Sequence, residues 1–181
     1  MSLKHGILGL LSYGDMTGYD LSKYFNQSLN FFWQAQRSQI YRDLKNLAEK
    51  NLVTTEKVLQ EGKPDKKVYS LTNKGEEKLV DWINQYSIEE ALKTRNSFLM
   101  RIFFSAKGDK EKLQQALEDY IEQNQAQLNQ LETTEEEFIT QEQPELENEQ
   151  LYWQMTIKKG YYDYKANIEW AKDILAMLNN S

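Results

Sequence analysis

The chain has no cysteine, a single histidine and only two prolines, and it has no apolar run near the roughly 18 residues that a membrane-crossing helix requires. Without thiols there is no disulfide and no thiolate ligand. With His5 as the only imidazole, a zinc finger, an iron–sulfur site or a multi-histidine centre cannot be assembled within one chain, so no metal is expected. The N-terminus lacks a basic segment followed by a long apolar stretch and a cleavage site, so a cytoplasmic protein without membrane contact is expected. The raw material for catalysis is also thin. There is no cysteine nucleophile, no nucleophile elbow and no glycine loop for phosphates, and the many carboxylates fall on solvated helix faces. The sequence therefore predicts neither an enzyme nor a bound cofactor.

What is present is 181 residues, 40% of them apolar, enough for a core in one large domain or two small ones. The net charge of −6 argues against nucleic acid, because duplex binding needs cations to displace condensed counterions. The average conceals a division, however. Residues 1–86 carry 12 basic and 10 acidic side chains, whereas residues 87–181 carry 10 and 18. A weakly basic head precedes an acidic tail, and the two are read separately.

In the head, Leu3, Ile7, Leu8 and Leu11 recur at helical spacing, and the helix is expected to end near Gly14. Thr17 is suited to cap a second helix, with Asp20 favoured by its dipole and Leu21, Tyr24 and Phe25 as its apolar stripe. Phe31, Phe32 and Trp33 form a bulky cluster suited to packing between helices. A third helix is expected over Gln34 to Lys50. Ile40, Leu44 and Leu47 define its buried side. At about 100° per residue, Ser38, Arg42 and Lys45 fall on the opposite side, flanked by Gln39 and Tyr41. Such a polar, cationic face suits a groove edge, with Arg reading guanine, Gln reading adenine, and Ser and Tyr holding phosphate.

Leu52 to Leu59 and Lys67 to Leu71 read as strands, and Gly62 to Lys66 holds the turn residues of a hairpin tip around which Lys63, Lys66 and Lys67 gather. Thr72 is suited to cap a fourth helix bearing Leu79, Trp82, Ile83 and Tyr86. The order of three helices, two strands and a helix is that of a winged helix-turn-helix, whose third helix enters the major groove while the hairpin wing meets the backbone.

At this point the motifs themselves are informative. Gly18-Tyr19-Asp20-Leu21 and Ser38-Gln39-Ile40-Tyr41-Arg42, about 20 residues apart, stand with Gly9-Leu10-Leu11, Phe32-Trp33, Lys67 to Thr72 and Gly75. Together they closely resemble the PadR family of bacterial transcriptional regulators, strongly over residues 1–86 and by pattern beyond. Two departures are visible: Ala48 where the family often has Glu, and Asn51 where it usually has Gly. Both bear on helix termination more than on the proposed DNA face. The long helical tail matches the larger PadR subfamily, typified by regulators of phenolic acid stress.

The tail shows only helical periodicity. Phe98, Leu99, Ile102 and Phe103 mark one helix, with a break at Lys107-Gly108-Asp109. Leu113, Ala116, Leu117, Tyr120, Ile121, Asn124, Leu128 and Leu131 mark a long second one. Glu132 to Glu149 reads as the end of that helix plus a loop, and Leu151 to Leu178 as a last helix. Its Tyr152, Trp153, Tyr161, Tyr162, Tyr164 and Trp170 interleave with four lysines, a composition that suits packing or a site for a small aromatic carboxylate. Long amphipathic helices need a partner for their apolar stripes. Pairing with a second copy provides one, and a self-contained antiparallel bundle is the alternative.

The expected architecture is thus mainly α with a small β-hairpin: a winged helix-turn-helix over 1–86 and a helical dimerisation and effector domain over 87–181. The resemblance implies a homodimer on a pseudo-palindromic double-stranded operator, with a small aromatic or phenolic acid effector between the winged and helical domains; on that basis Phe104, Trp153 and Tyr161 are its candidate contacts. Two other readings stand beside repression: activation by the same kind of protein, and a winged-helix adaptor that binds protein.

Overall fold

The computed structural model describes residues 2–58, 66–88, 96–139 and 147–180. The chain divides into two compact units, Met1–Leu92 and Lys93–Ser181.

The first unit opens with α1 (Ser2–Leu11), followed by β1 (Met16–Thr17), α2 (Gly18–Ser28) and α3 (Arg37–Glu49), and then by β2 (Val53–Val58), β3 (Lys66–Leu71) and α4 (Asn73–Ile83). Local chemistry sets most of these boundaries. The Thr17 hydroxyl oxygen accepts from the Asp20 N–H at 3.1 Å and donates to the Asp20 carboxylate at 2.6 Å, a reciprocal cap that starts α2. At the end of α3, Asn51 takes φ 57°. The Asn51 N–H donates to the Ala48 carbonyl and the Leu52 N–H to the Leu47 carbonyl, both at 3.0 Å, which is a Schellman closure built on asparagine in place of glycine. Thr72 starts α4: its hydroxyl oxygen accepts from the Gly75 N–H at 3.0 Å and its O–H donates to the Asn51 carbonyl at 2.9 Å.

Three antiparallel strands lie in the order β1-β3-β2, with Met16 opposite Tyr69 and Val53 opposite Leu71. The sheet is therefore one strand larger than the sequence predicts, because two residues, Met-Thr, are too few to show any alternation. Along β2 only Val53 is buried, so the hairpin projects into solvent as a wing does. Ile7, Leu8, Leu11, Leu21, Phe25, Ile40, Leu44, Leu47, Val53, Tyr69 and Leu79 form one continuous core beneath it. The expected stripe of α4 is only partly used. Leu79 is buried and Trp82 stacks on His5 with ring centroids 4.6 Å apart, but Ile83 is exposed and Tyr86 lies beyond the helix, 86% exposed.

The second unit contains α5 (Ser97–Phe103), a 3-10 turn (Ser105–Lys107), and two long helices, α6 (Lys110–Ile139) and α7 (Glu147–Asn179). The Asn96 side chain accepts from the Phe98 and Leu99 N–H groups to start α5, and Asp109 accepts from Glu111 to start α6. Helices α6 and α7 run antiparallel, tied by Gln114 to Asn179, by Asn167 to Asn124, and by Tyr161 to Glu135. Leu117, Leu128 and Leu131 of α6 and Ile157, Ile168 and Ala171 of α7 are buried along this pairing. Phe98 stacks on Tyr120 at 5.1 Å and meets Trp170 edge-on, which attaches α5 to the pair.

One boundary of the long helices corrects the sequence reading. Within the acidic stretch α6 continues to Ile139, as a helix end was expected to, but α7 opens at Glu147 instead of Leu151. Glutamate is a good helix former, and contacts with α7 hold the extension, with Leu131 and Thr134 buried. Among the described residues no helix is long and apolar enough to cross a membrane.

Candidate nucleic-acid interface

Helix α3 begins at Arg37, three residues later than its periodicity suggests, because the polar residues before it serve as a cap. The Gln36 N–H donates to Gln39 Oε1 at 3.1 Å, and the Gln39 N–H donates back to the Gln36 carbonyl at 2.9 Å. Gln39 is consequently half-buried and its carbonyl oxygen is engaged. A two-point contact to adenine uses both the oxygen and the nitrogen of the amide, so at Gln39 it would have to share the oxygen with the cap.

The other predicted residues of this helix share one solvent face. Ile40, Leu44 and Leu47 are buried, while Ser38, Tyr41, Arg42 and Lys45 are exposed on the opposite side. Lys45 lies 3.9 Å from Glu49, an exposed pair worth little in water. No carboxylate lies within ion-pair distance of Arg42 among the described residues.

Tyr41 leads from this face to the wing. Its ring covers Gly18 at the start of α2, where an added Cβ would meet ring carbon Cε1 at 2.7 Å. An open groove of about 510 Å³ follows, lined by Thr17, Gly18, Tyr19, Asp20, Tyr41, Lys66, Lys67 and Tyr69. Lys66 and Lys67, expected at the hairpin, thus share the groove with Tyr41, expected on the helix. Burial, with a smaller contribution from Tyr41, raises the pKa of Tyr69 above its ordinary value. Lys63 lies outside the described residues.

Arg37 and Tyr19 were missed by the sequence reading. The Arg37 guanidinium lies 5.0 Å from the Tyr19 ring centroid and 5.7 Å from that of Tyr41. The spacing of Arg37 and Tyr41, one helical turn, was available in the sequence as a signal.

The comparisons with known proteins bear on the whole chain. The transcriptional regulator PadR-like family model matches residues 7–81, and the virulence activator alpha C-term model matches residues 94–179. The negative transcriptional regulator PadR of Bacillus subtilis is 31% identical over 179 residues, covering 98% of this chain and 97% of its own length.

The chain belongs to the PadR-like family of transcriptional regulators.

Solved structures of related regulators superpose over nearly all of it. Bacillus subtilis PadR in complex with operator DNA has a TM-score of 0.79 at 30% identity, over 98% of this chain and 99% of that one. The same regulator in complex with p-coumaric acid has a TM-score of 0.74 at 28% identity, over 99% of both chains. The Vibrio cholerae virulence activator AphA has a TM-score of 0.76 at 29% identity, also over 99% of both. As a PadR-like protein, the chain is a regulator and not an enzyme.

The three residues considered for an effector lie in the second unit. Phe104 is 60% exposed and meets Phe103 edge-on, while Trp153 and Tyr161 are half-buried on α7. The Tyr161 hydroxyl donates to Glu135 Oε2 at 3.1 Å. Burial first, then this hydrogen bond and the charges of Glu135, Glu132 and Glu136, push its pKa up to about 12. An open depression in this unit, lined by Glu118, Ile121, Glu122, Gln125, Ala126, Asn129, Ile168 and Lys172, includes none of the three.

Proposed function

We propose that this PadR-like regulator is a homodimeric repressor that holds a pseudo-palindromic operator through two copies of its first unit and is released by a small aromatic acid. The observation that carries the DNA reading is that Tyr41, from the exposed face of α3, lines one groove with Lys66 and Lys67 of the wing. Helix α3 takes the base edges with Arg42, while Ser38, Tyr41, Lys45 and the wing lysines take phosphates. The likeness to PadR on operator DNA supports this assignment.

Dimerisation through the second unit is supported by what the α6–α7 pair leaves uncovered. Leu151, Tyr152, Met155 and Tyr162 of α7, together with Phe103 and Phe104, are all more than half exposed. A second copy is the partner that also provides the second recognition helix one turn of duplex away. The acidic second unit repels phosphate and so restrains non-specific binding, giving strongly salt-sensitive affinity. Such a protein works where the chromosome is, in the cytoplasm.

Release by a phenolic acid is supported by the p-coumaric acid complex of PadR, with Phe104, Trp153 and Tyr161 as proposed contacts. A coupling of about 1 to 3 kcal/mol suffices, since it shifts operator affinity some 5- to 150-fold. Activation is a second reading, supported by the equally extensive likeness to AphA. A protein-binding adaptor is distinguished from both by an affinity that ignores DNA sequence.

The test is a titration of the purified protein against DNA from upstream of its own gene, with and without p-coumaric acid. Saturable, salt-dependent and sequence-preferring binding that the acid weakens is the expected result. Binding that the acid leaves unchanged removes this effector class, and the absence of sequence preference overturns the DNA reading.

A further inference from the structure

Arg37 is the first residue of α3, and Tyr19 is the second of α2, so the guanidinium joins the two helices of the helix-turn-helix at their N-terminal ends. Tyr41, the second ring over which it lies, cannot move inward because its ring already rests on Gly18. Among the described residues no carboxylate lies within ion-pair distance of Arg37, in contrast to Lys4 with Asp43 and Lys45 with Glu49. The charge is therefore held by aromatic rings and is not neutralised by any described carboxylate.

This arrangement has a chemical consequence. A guanidinium that rests on ring faces keeps its N–H donors at its edge, where they match two oxygens of a phosphate. An ammonium keeps the charge but neither the plane nor the fork. Lys66 and Lys67 of β3 stand on the groove that Tyr19 and Tyr41 also line, and Arg37 of α3 lies over both of those rings, so cations from two elements gather at it. Asp20, the carboxylate in its lining, already accepts from the Thr17 hydroxyl.

We propose that Arg37, held by Tyr19 and Tyr41, is a preformed phosphate grip: it seats one DNA backbone phosphate at this groove and thereby fixes how α3 enters the major groove. Tyr19 is a positioning residue that acts through Arg37. The inference rests on the DNA reading above and adds to it two residues outside the polar face of α3.

The experiment is an anisotropy titration of full-length protein with its operator and with an unrelated duplex, at several salt concentrations, comparing wild type with Arg37→Lys, Tyr19→Leu and Tyr19→Phe. Arg37→Lys keeps the charge, so the salt slope is expected to hold while affinity for both duplexes falls by about three- to tenfold. Tyr19→Leu should produce the same loss with Arg37 intact, and Tyr19→Phe should restore wild-type binding. Both sites are exposed, and equal thermal unfolding midpoints separate a lost grip from a lost fold. If wild type binds its operator and Arg37→Lys and Tyr19→Leu bind equally well, the grip is overturned and the DNA reading stands. If wild type shows no duplex binding, both fall.

Discussion

The ring of Tyr41 lies over Gly18 so closely that a methyl group added there would meet it at 2.7 Å. Tyr41 is 40% exposed, so its ring can turn outward, whereas the backbone beneath it cannot move. Gly18→Ala is therefore expected to leave stability within about 1 kcal/mol of wild type, since alanine's better helix propensity offsets the displaced ring. Operator affinity should nonetheless fall, because Tyr41 leaves both the groove and Arg37. Thermal unfolding together with an operator titration checks this, and a large loss of stability would contradict it.

Gly75 presents the opposite case. Its added methyl would stand 2.1 Å from the Leu52 carbonyl oxygen, a backbone atom held by the hydrogen bond it accepts from Thr72. Gly75→Ala must separate α4 from the end of α3, and a loss of about 3 kcal/mol or more is expected by denaturant unfolding. Thr72→Ala removes a cap and the link to Asn51 at the same junction but causes no clash, so it should cost about 1 to 2 kcal/mol.

Asn124 is a buried polar side chain in the α6–α7 pairing. It donates to the Tyr120 carbonyl at 2.7 Å and accepts from Asn167 at 2.9 Å. Asn124→Ala is expected to cost about 1 to 3 kcal/mol, because it opens a space and removes a satisfied pair. Leucine at both 124 and 167 should be neutral or stabilising, as replacing both partners of a buried polar contact often is. Thermal unfolding of the three proteins tests the contrast, and a double variant less stable than Asn124→Ala would contradict it.

The raised pKa of Tyr161 has a defined direction. The folded protein holds this proton more tightly than the unfolded chain, whose phenol titrates near the ordinary value of 10.0. The stability it contributes is therefore complete below pH 10 and is lost as pH rises toward about 12. Tyr161→Phe should flatten this part of the stability profile, measured by denaturant midpoints at increasing pH. An unchanged profile would contradict a raised pKa at Tyr161.

Much of the first unit was legible because its boundaries are set by short-range chemistry. Thr17 and Thr72 cap helices with their own hydroxyls, and Asn51 accepts a left-handed backbone, so each announces its role in the sequence. Angular arithmetic placed Ser38, Tyr41, Arg42 and Lys45 on the side opposite Ile40, Leu44 and Leu47, because one helix fixes all of them. Gln39 escaped that logic because its side chain caps the helix start, which the periodicity placed too early. Tyr19 was invisible as a partner of Arg37 because the contact joins two helices whose relative placement no local pattern encodes. In the second unit, Glu-rich sequence concealed the true start of α7, since helix propensity without apolar periodicity resembles a solvated loop. The proposed effector contacts rested on composition and family resemblance, and neither supplies geometry.

The central claim is that one operator is held by the α3 face and the wing together, and it is tested most directly by salt-dependent titrations of the operator and an unrelated duplex with wild type, Arg42→Ala and the double variant Lys66→Ala/Lys67→Ala. Arg42→Ala should lower operator affinity by about 1 to 3 kcal/mol and relax sequence preference while leaving unrelated DNA less affected. The lysine double variant should weaken both duplexes alike and reduce the salt slope by about 2 per head. Wild-type affinity, preference and salt slope in both variants would contradict the account.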